Sequence, residues 1–271
     1  MISFPNCKIN LGLRILRKRD DGYHDLETVF YPLPFYDVLE LIHSNNTGLS
    51  FTSTGLTISG NKNDNLCVKA YELLKKDFPA IPAAQLHLHK TIPMGAGLGG
   101  GSADGAFTLQ LLNNKFNLGL SQEQLTGYAL TLGSDCPFFI INKPCIGTGR
   151  GEKLEPANVD LSAYRIILIN PAISIHTGSA FSGIQPSVPD KPVASIIQQP
   201  VKTWRSELIN DFETTVFKQH PEIKEIKDKL YKQGAIYASM SGSGSTVYGI
   251  FPKDKSVQFS CPAHYFIKEL Q

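Results

Sequence analysis

Residues 93–106 read PMGAGLGGGSADGA, and five of the seven residues Gly95–Gly101 are glycine. The run follows an alternating segment, Gln85–Thr91 (QLHLHKT), with Leu86 and Leu88 on one face. It precedes Ala103, Ala106, Phe107 and Leu111 at helical spacing. The pattern predicts a strand–loop–helix junction whose helix begins near Ser102. Glycine admits positive φ and lets a ligand approach the backbone closely. Successive amides in such a loop form an anion-binding concavity. A helix start adds unpaired N–H donors and the positive end of its dipole. Each dipole contact is worth about 0.3–1 kcal/mol, so several together can hold a polyphosphate without a cationic side chain. A flexible linker fits poorly between a clear strand and a clear helix. Gly95, Gly97 and Gly100 also satisfy GxGxxG, but the run lies mid-chain and Asn117 stands where an acidic ribose ligand is wanted. The GxxxxGK[ST] pattern is absent, as are VAIK, HRD and DFG.

The rest of the chain bounds the answer. Its 271 residues are comfortable for two domains and a sizeable core. A net charge of +2 is too mild to point to nucleic acid, and a small anionic substrate needs only local lysines. The five cysteines are odd in number, widely spaced and without a CxxC, which argues against a disulfide framework or a zinc site. The opening MISFPNCKINLGL lacks the features of a signal peptide, and no window approaches 18 uninterrupted apolar residues. The expectation is a soluble, cytoplasmic protein that binds neither membrane nor nucleic acid.

Periodicity predicts strands at Lys8–Ile15, Asp37–His43, Ile166–Ile169, Ile236–Met240, Thr246–Phe251 and about Tyr265–Lys268. Helices are expected over Asn65–Phe78, Ser121–Leu132, Ser206–Gln219 and Pro221–Gln233. Ser121 and Gln124 have the spacing of a capping box, and Pro221 suits a helix start. Gly147–Gly151 reads as a turn. Pro186–Pro200, with four prolines, reads as a surface connection with room for one helical turn. The expected division is 1–155 and 156–271.

Three further pieces carry chemistry-bearing residues. In KINLGL, Lys8, Asn10 and Gly12 share one strand face, although a lysine there is as readily just solvated. His24 sits in DGYH, and Asp135 in LGSDCP falls just past a helix end, where a turn or cap aspartate is ordinary. SMSGSGST (Ser239–Thr246) lies between two predicted strands, and its glycines and hydroxyls read as a tight turn or as a loop that wraps an anion or closes on another element.

Taken together, PMGAGLGGGSADGA, the lysine strand and SMSGSGST resemble the motifs of the GHMP kinase superfamily of small-molecule kinases. KIN, DGYH and LGSDCP are similar to the branch whose alcohol substrate is a diphosphocytidyl methylerythritol. The resemblance covers most of the chain, with Pro186–Pro200 and the last fifteen residues carrying little of it. It implies an α+β, two-domain GHMP kinase fold: an N-terminal domain like domain 2 of ribosomal protein S5, and a ferredoxin-like C-terminal domain. It implies transfer of the ATP γ-phosphoryl to the 2-hydroxyl of that alcohol, a step of the non-mevalonate route to isoprenoid precursors.

The resemblance also implies roles for single residues. Asp135 is the base that orients the hydroxyl, and Lys8 is its cationic partner. Pro93, Met94, Gly95, Ala96, Gly97, Leu98, Gly99, Gly100, Gly101 and Ser102 wrap the ATP phosphates, with Ser102 also touching the Mg²⁺ that accompanies ATP. Asn65 and Lys90 lie near adenine and ribose. His24 reads the cytosine, with Tyr23 as a stacking aromatic and Phe181 as the opposite wall. Asn10 contacts the methylerythritol end, and Thr177 contacts substrate from the loop that carries Phe181. The expected assembly is a monomer or a weak homodimer. Kinases of this kind for homoserine or mevalonate are the nearest alternative, but those alcohols carry no base for DGYH to read. A catalytically dead nucleotide-binding protein would have no use for an intact Lys8 and Asp135.

Overall fold

The structure is a computed structural model that describes residues 1–270. Its strands are β1 Ile2–Ser3, β2 Asn6–Lys18, β3 His24–Tyr36, β4 Val38–His43, β5 Leu49–Gly55, β6 Ala84–Lys90, β7 Cys145–Thr148, β8 Lys153–Pro156, β9 Tyr164–Asn170, β10 Tyr237–Met240, β11 Val247–Pro252 and β12 Phe266–Leu270. Its helices are α1 Leu66–Asp77, α2 Gly100–Phe116, α3 Gln122–Leu132, α4 Cys136–Ile141, α5 Thr177–Phe181, α6 Val193–Ile196, α7 Trp204–Glu207, α8 Phe212–Gln219 and α9 Pro221–Lys232. They form two compact units interleaved along the chain. One holds residues 1–7, 34–94 and 99–143, and the other holds residues 8–33, 95–98 and 144–271.

The first unit is a four-stranded sheet, ordered β1-β4-β6-β5, with α1 and α2 packed on it and α3 and α4 packed on those helices and on each other. β4 and β6 pair antiparallel from Val38↔His89 to His43↔Ala84, and β5 runs parallel to β6. The alternation of β6 buries Leu86 and Leu88 and turns His89 outward. The α1 cap is Asn65, whose Oδ1 accepts the Cys67 N–H at 2.9 Å. The capping box of α3 forms between Ser121 and Gln124. Helix α2 starts two residues before Ser102. Gly99, in the left-handed region at φ 71°, begins the helix without a side-chain cap.

The second unit holds two more sheets, ordered β2-β3-β7-β8 and β10-β11-β9-β12. The latter is antiparallel throughout, with Val247 opposite both Ile169 and Met240. Ile167, Ile169, Met240 and Val247 from its strands meet Phe212, Val216, Ile223, Ile226 and Leu230 of α8 and α9 in one buried cluster. Burying each such side chain stabilises by about 1.5–3 kcal/mol, which outweighs the modest helix propensity of Val and Ile.

The expected helix Ser206–Gln219 is instead two, α7 and α8, separated by Leu208–Asp211. Tertiary hydrogen bonds break it. Asn210 Nδ2 donates to the Met240 and Gly242 carbonyls at 2.7 and 2.9 Å, and Leu13 N–H donates to the Ile209 carbonyl at 2.9 Å. β3 was hidden by Pro32 and Pro34, which interrupt its alternation, and β5 by its exposed Ser and Thr residues. Among the described residues, no helix is long and apolar enough to cross a membrane.

Candidate active site

The amides at the start of α2 have no side-chain cap, which leaves them to an incoming acceptor. Two glycines there face open space: a Cβ added at Gly95 or Gly101 would meet nothing within 4 Å. Gly97 and Gly100 are glycine for the opposite reason. A Cβ on Gly97 would lie 2.0 Å from the Ser241 carbonyl oxygen, and one on Gly100 would lie 2.9 Å from Lys90 Nζ and Ile92 Cγ2. Between them Ala96 and Leu98 are buried, so this part of the loop presents backbone rather than side chains. Pro93 is half-buried and Met94 exposed at the loop entry.

In the first unit, Asp135 immediately precedes α4, and its side chain makes no capping bond to that helix. The next residue, Cys136, is buried, and its thiol is hydrogen-bonded by the side chain of Ser102. Burial pushes the thiol up to about 12 and Ser102 pulls the other way, so Cys136 stays a neutral thiol. Helices α2 and α4 pack against each other in this unit.

Lys90 lies elsewhere than expected. Its ammonium is wholly buried, donating to Asp104 Oδ2 at 2.7 Å and to Asp37 Oδ2 at 2.5 Å. Burial works against the charged amine, but the two carboxylates outweigh it and the net shift is upward. The side chain is spent on these two carboxylates. Asp37 Oδ1 also accepts the Thr91 and Ile92 amides at 2.6 and 2.9 Å, fixing the strand just before Pro93. Asn65 likewise has a structural duty as the α1 cap.

In the second unit, Lys8 and Asn10 are not on a solvated strand face; both are 3% exposed. Lys8 Nζ donates to Asn10 Oδ1 at 2.6 Å and to the Gly97 carbonyl at 3.2 Å, and lies 5.3 Å from the centre of the Phe30 ring. Asn10 Nδ2 donates to Thr28 Oγ1 at 3.0 Å. Both polar ends of the Asn10 side chain are therefore engaged within the protein, and its geometry is that of a residue that holds Lys8. Ser241 lies in the SMSGSGST loop that the sequence singles out for its glycines and hydroxyls. Its hydroxyl donates to the Gly97 carbonyl at 2.8 Å and accepts the Asn10 N–H at 3.2 Å, while Thr246 N–H donates to the Ala96 carbonyl. The loop thus closes on Ala96 and Gly97. No sequence signal separated Ser241 from the other serines of the loop.

The expected base-binding aromatics are also in the second unit. His24 and Phe181 stack on each other, with ring centroids 4.6 Å apart and planes 12° from parallel. Phe181 thus backs the imidazole. Burial, and then the Lys18 charge, lower the His24 pKa and keep the ring neutral. Tyr23 is 54% exposed, with the Arg150 guanidinium 4.9 Å over its ring. Thr177 opens α5 and lies 3.3 Å, oxygen to oxygen, from Ser243.

Residues 65–143 match the GHMP kinases N terminal domain, and residues 201–261 match the GHMP kinases C terminal domain. A 4-diphosphocytidyl-2-C-methyl-D-erythritol kinase of Bacteroides thetaiotaomicron is 54% identical over 253 residues, covering 93% of this chain and 92% of that one. The Bacteroides fragilis (strain YCH46) protein of the same name is 52% identical over 259 residues, with 95% and 94% covered. A crystal structure of a 4-(cytidine 5'-diphospho)-2C-methyl-D-erythritol kinase superposes with a TM-score of 0.81 at 30% identity, over 92% of this chain and 90% of that one. A homoserine kinase structure from Cytophaga hutchinsonii shares the fold, with a TM-score of 0.63 at 13% identity. The uncapped, glycine-lined start of α2 and these likenesses agree: the chain belongs to the GHMP kinases.

Proposed function

We propose that this protein transfers the γ-phosphoryl of ATP to the 2-hydroxyl of 4-diphosphocytidyl-2-C-methyl-D-erythritol. The observation that best supports the chemistry is the glycine-lined start of α2, whose amides carry no side-chain cap. The relatives' shared name and the glycine loop supply the rest.

In phosphoryl transfer the protein positions groups and stabilises charge more than it makes bonds. The backbone of Gly95–Ser102 holds the polyphosphate. Asp135 accepts a hydrogen bond from the substrate hydroxyl. A carboxylate is a far weaker base than an alkoxide, so this side chain orients the oxygen and takes the proton late in the transfer. Lys8, braced by Asn10 and the Gly97 carbonyl, offsets negative charge on the moving phosphoryl. Mg²⁺ arriving on ATP neutralises phosphate charge, and Ser102 is the loop hydroxyl suited to it. The neutral His24 ring offers one donor and one acceptor to the edge of the cytosine, held in orientation by Phe181 behind it. Tyr23 supplies a stacking face, and Thr177 borders the same region of substrate.

The test is a coupled assay of ATP consumption with a panel of alcohols. Turnover should require the diphosphocytidyl alcohol. Equal or faster turnover with homoserine or mevalonate would overturn the assignment.

A further inference from the structure

We infer that Lys90, with its buried partners Asp37 and Asp104, is a positioning residue that tunes the phosphate affinity of the α2 start without touching the nucleotide; the inference rests on the proposed nucleotide site.

Three observations carry it. The Lys90 ammonium abuts Gly100, the first residue of α2, so closely that a Cβ there would come within 2.9 Å of Nζ. Its second partner, Asp104, lies on α2 itself. Its first partner, Asp37, also holds the amides of Thr91 and Ile92, the two residues leading into the glycine loop. The cluster therefore clamps the chain on both sides of that loop from below.

Its charge matters as much as its shape. One ammonium between two carboxylates leaves a surplus negative charge in a dry interior, close behind amides that must attract an anion. Asp37 shares its charge with the Thr91 and Ile92 amides, whereas Asp104 Oδ1 has no hydrogen-bond partner, so the surplus is least offset there. The other groups around Asp104 are the Cys67 thiol, which burial keeps protonated, and Thr108, which donates to the Asp104 carbonyl. Nucleotide affinity should follow the charge of the cluster. It should rise when a carboxylate is neutralised and fall when the ammonium is lost.

The experiment measures ATP dissociation constants by calorimetry at pH 8, and the alcohol KM by turnover, for wild type, Asp104→Asn and Lys90→Met. The expected order of ATP affinity is Asp104→Asn, wild type, Lys90→Met, with about a threefold gain and about a tenfold loss, and with the alcohol KM within about twofold throughout. A purely structural cluster predicts something else: both variants lose stability and weaken ATP and alcohol together. ATP binding by Asp104→Asn no tighter than wild type overturns the inference, and it decides the matter alone if Lys90→Met does not fold. ATP binding in the expected order without transfer to the alcohol would leave this inference standing and remove the assigned reaction.

Discussion

The hydroxyl of Ser241 donates a 2.8 Å hydrogen bond to the carbonyl of Gly97, and the Ser241 carbonyl lies where a Gly97 Cβ would be. The two loops that sequence motifs singled out are thus in contact, one supporting the other. Gly97→Ala adds both a backbone clash and a strained positive φ of 75°. It should weaken ATP binding at least about tenfold, against about two- to fivefold for Ser241→Ala, which loses about 0.5–1 kcal/mol of hydrogen bonding. Equal ATP KM values for both variants and wild type would show that this support is dispensable.

Asp135 is the proposed base. Asp135→Ala should bind ATP nearly as wild type does and turn over at least about 100-fold more slowly. Single-turnover kinetics separate the two effects. Wild-type turnover in the variant would remove Asp135 from the reaction.

His24 has a different signature. Its ring is held by Phe181 rather than facing it across a gap, so both His24→Ala and Phe181→Ala should raise the alcohol KM several-fold and leave the ATP KM alone. Steady-state kinetics with each substrate varied will tell, and an equal rise in both KM values would contradict the assigned place.

Burial, with Asp37 nearby, raises the Asp104 carboxyl to about 7, against the pull of Lys90. The folded chain therefore binds this proton more tightly than the unfolded chain, whose aspartates titrate near 3.9. Stability from this group is present below that value and is lost as pH rises toward about 7. Between pH 5 and 8 the Tm of wild type should fall more than that of Asp104→Asn. Parallel thermal-melt profiles would show that Asp104 does not titrate in this window.

Much of this was legible in the residues. The alternation of β6, the Ser121–Gln124 box and the glycine run gave the strand, the helix and the junction that matter most. What stayed hidden was set by distant partners. Lys90 reads as an ordinary polar strand residue because Asp37 and Asp104 lie 53 and 14 positions away. Asn210 breaks a plausible helix only because it pairs with Met240 and Gly242. The stacking of His24 on Phe181 joins residues 157 apart (181 − 24), and no local pattern announces it.

The most direct test follows the phosphorus itself. With γ-labelled ATP and the diphosphocytidyl alcohol, product NMR should find the label on the 2-oxygen of the methylerythritol unit, and Asp135→Ala should leave it on ATP. Label released as inorganic phosphate, or attached to another hydroxyl, would contradict the account.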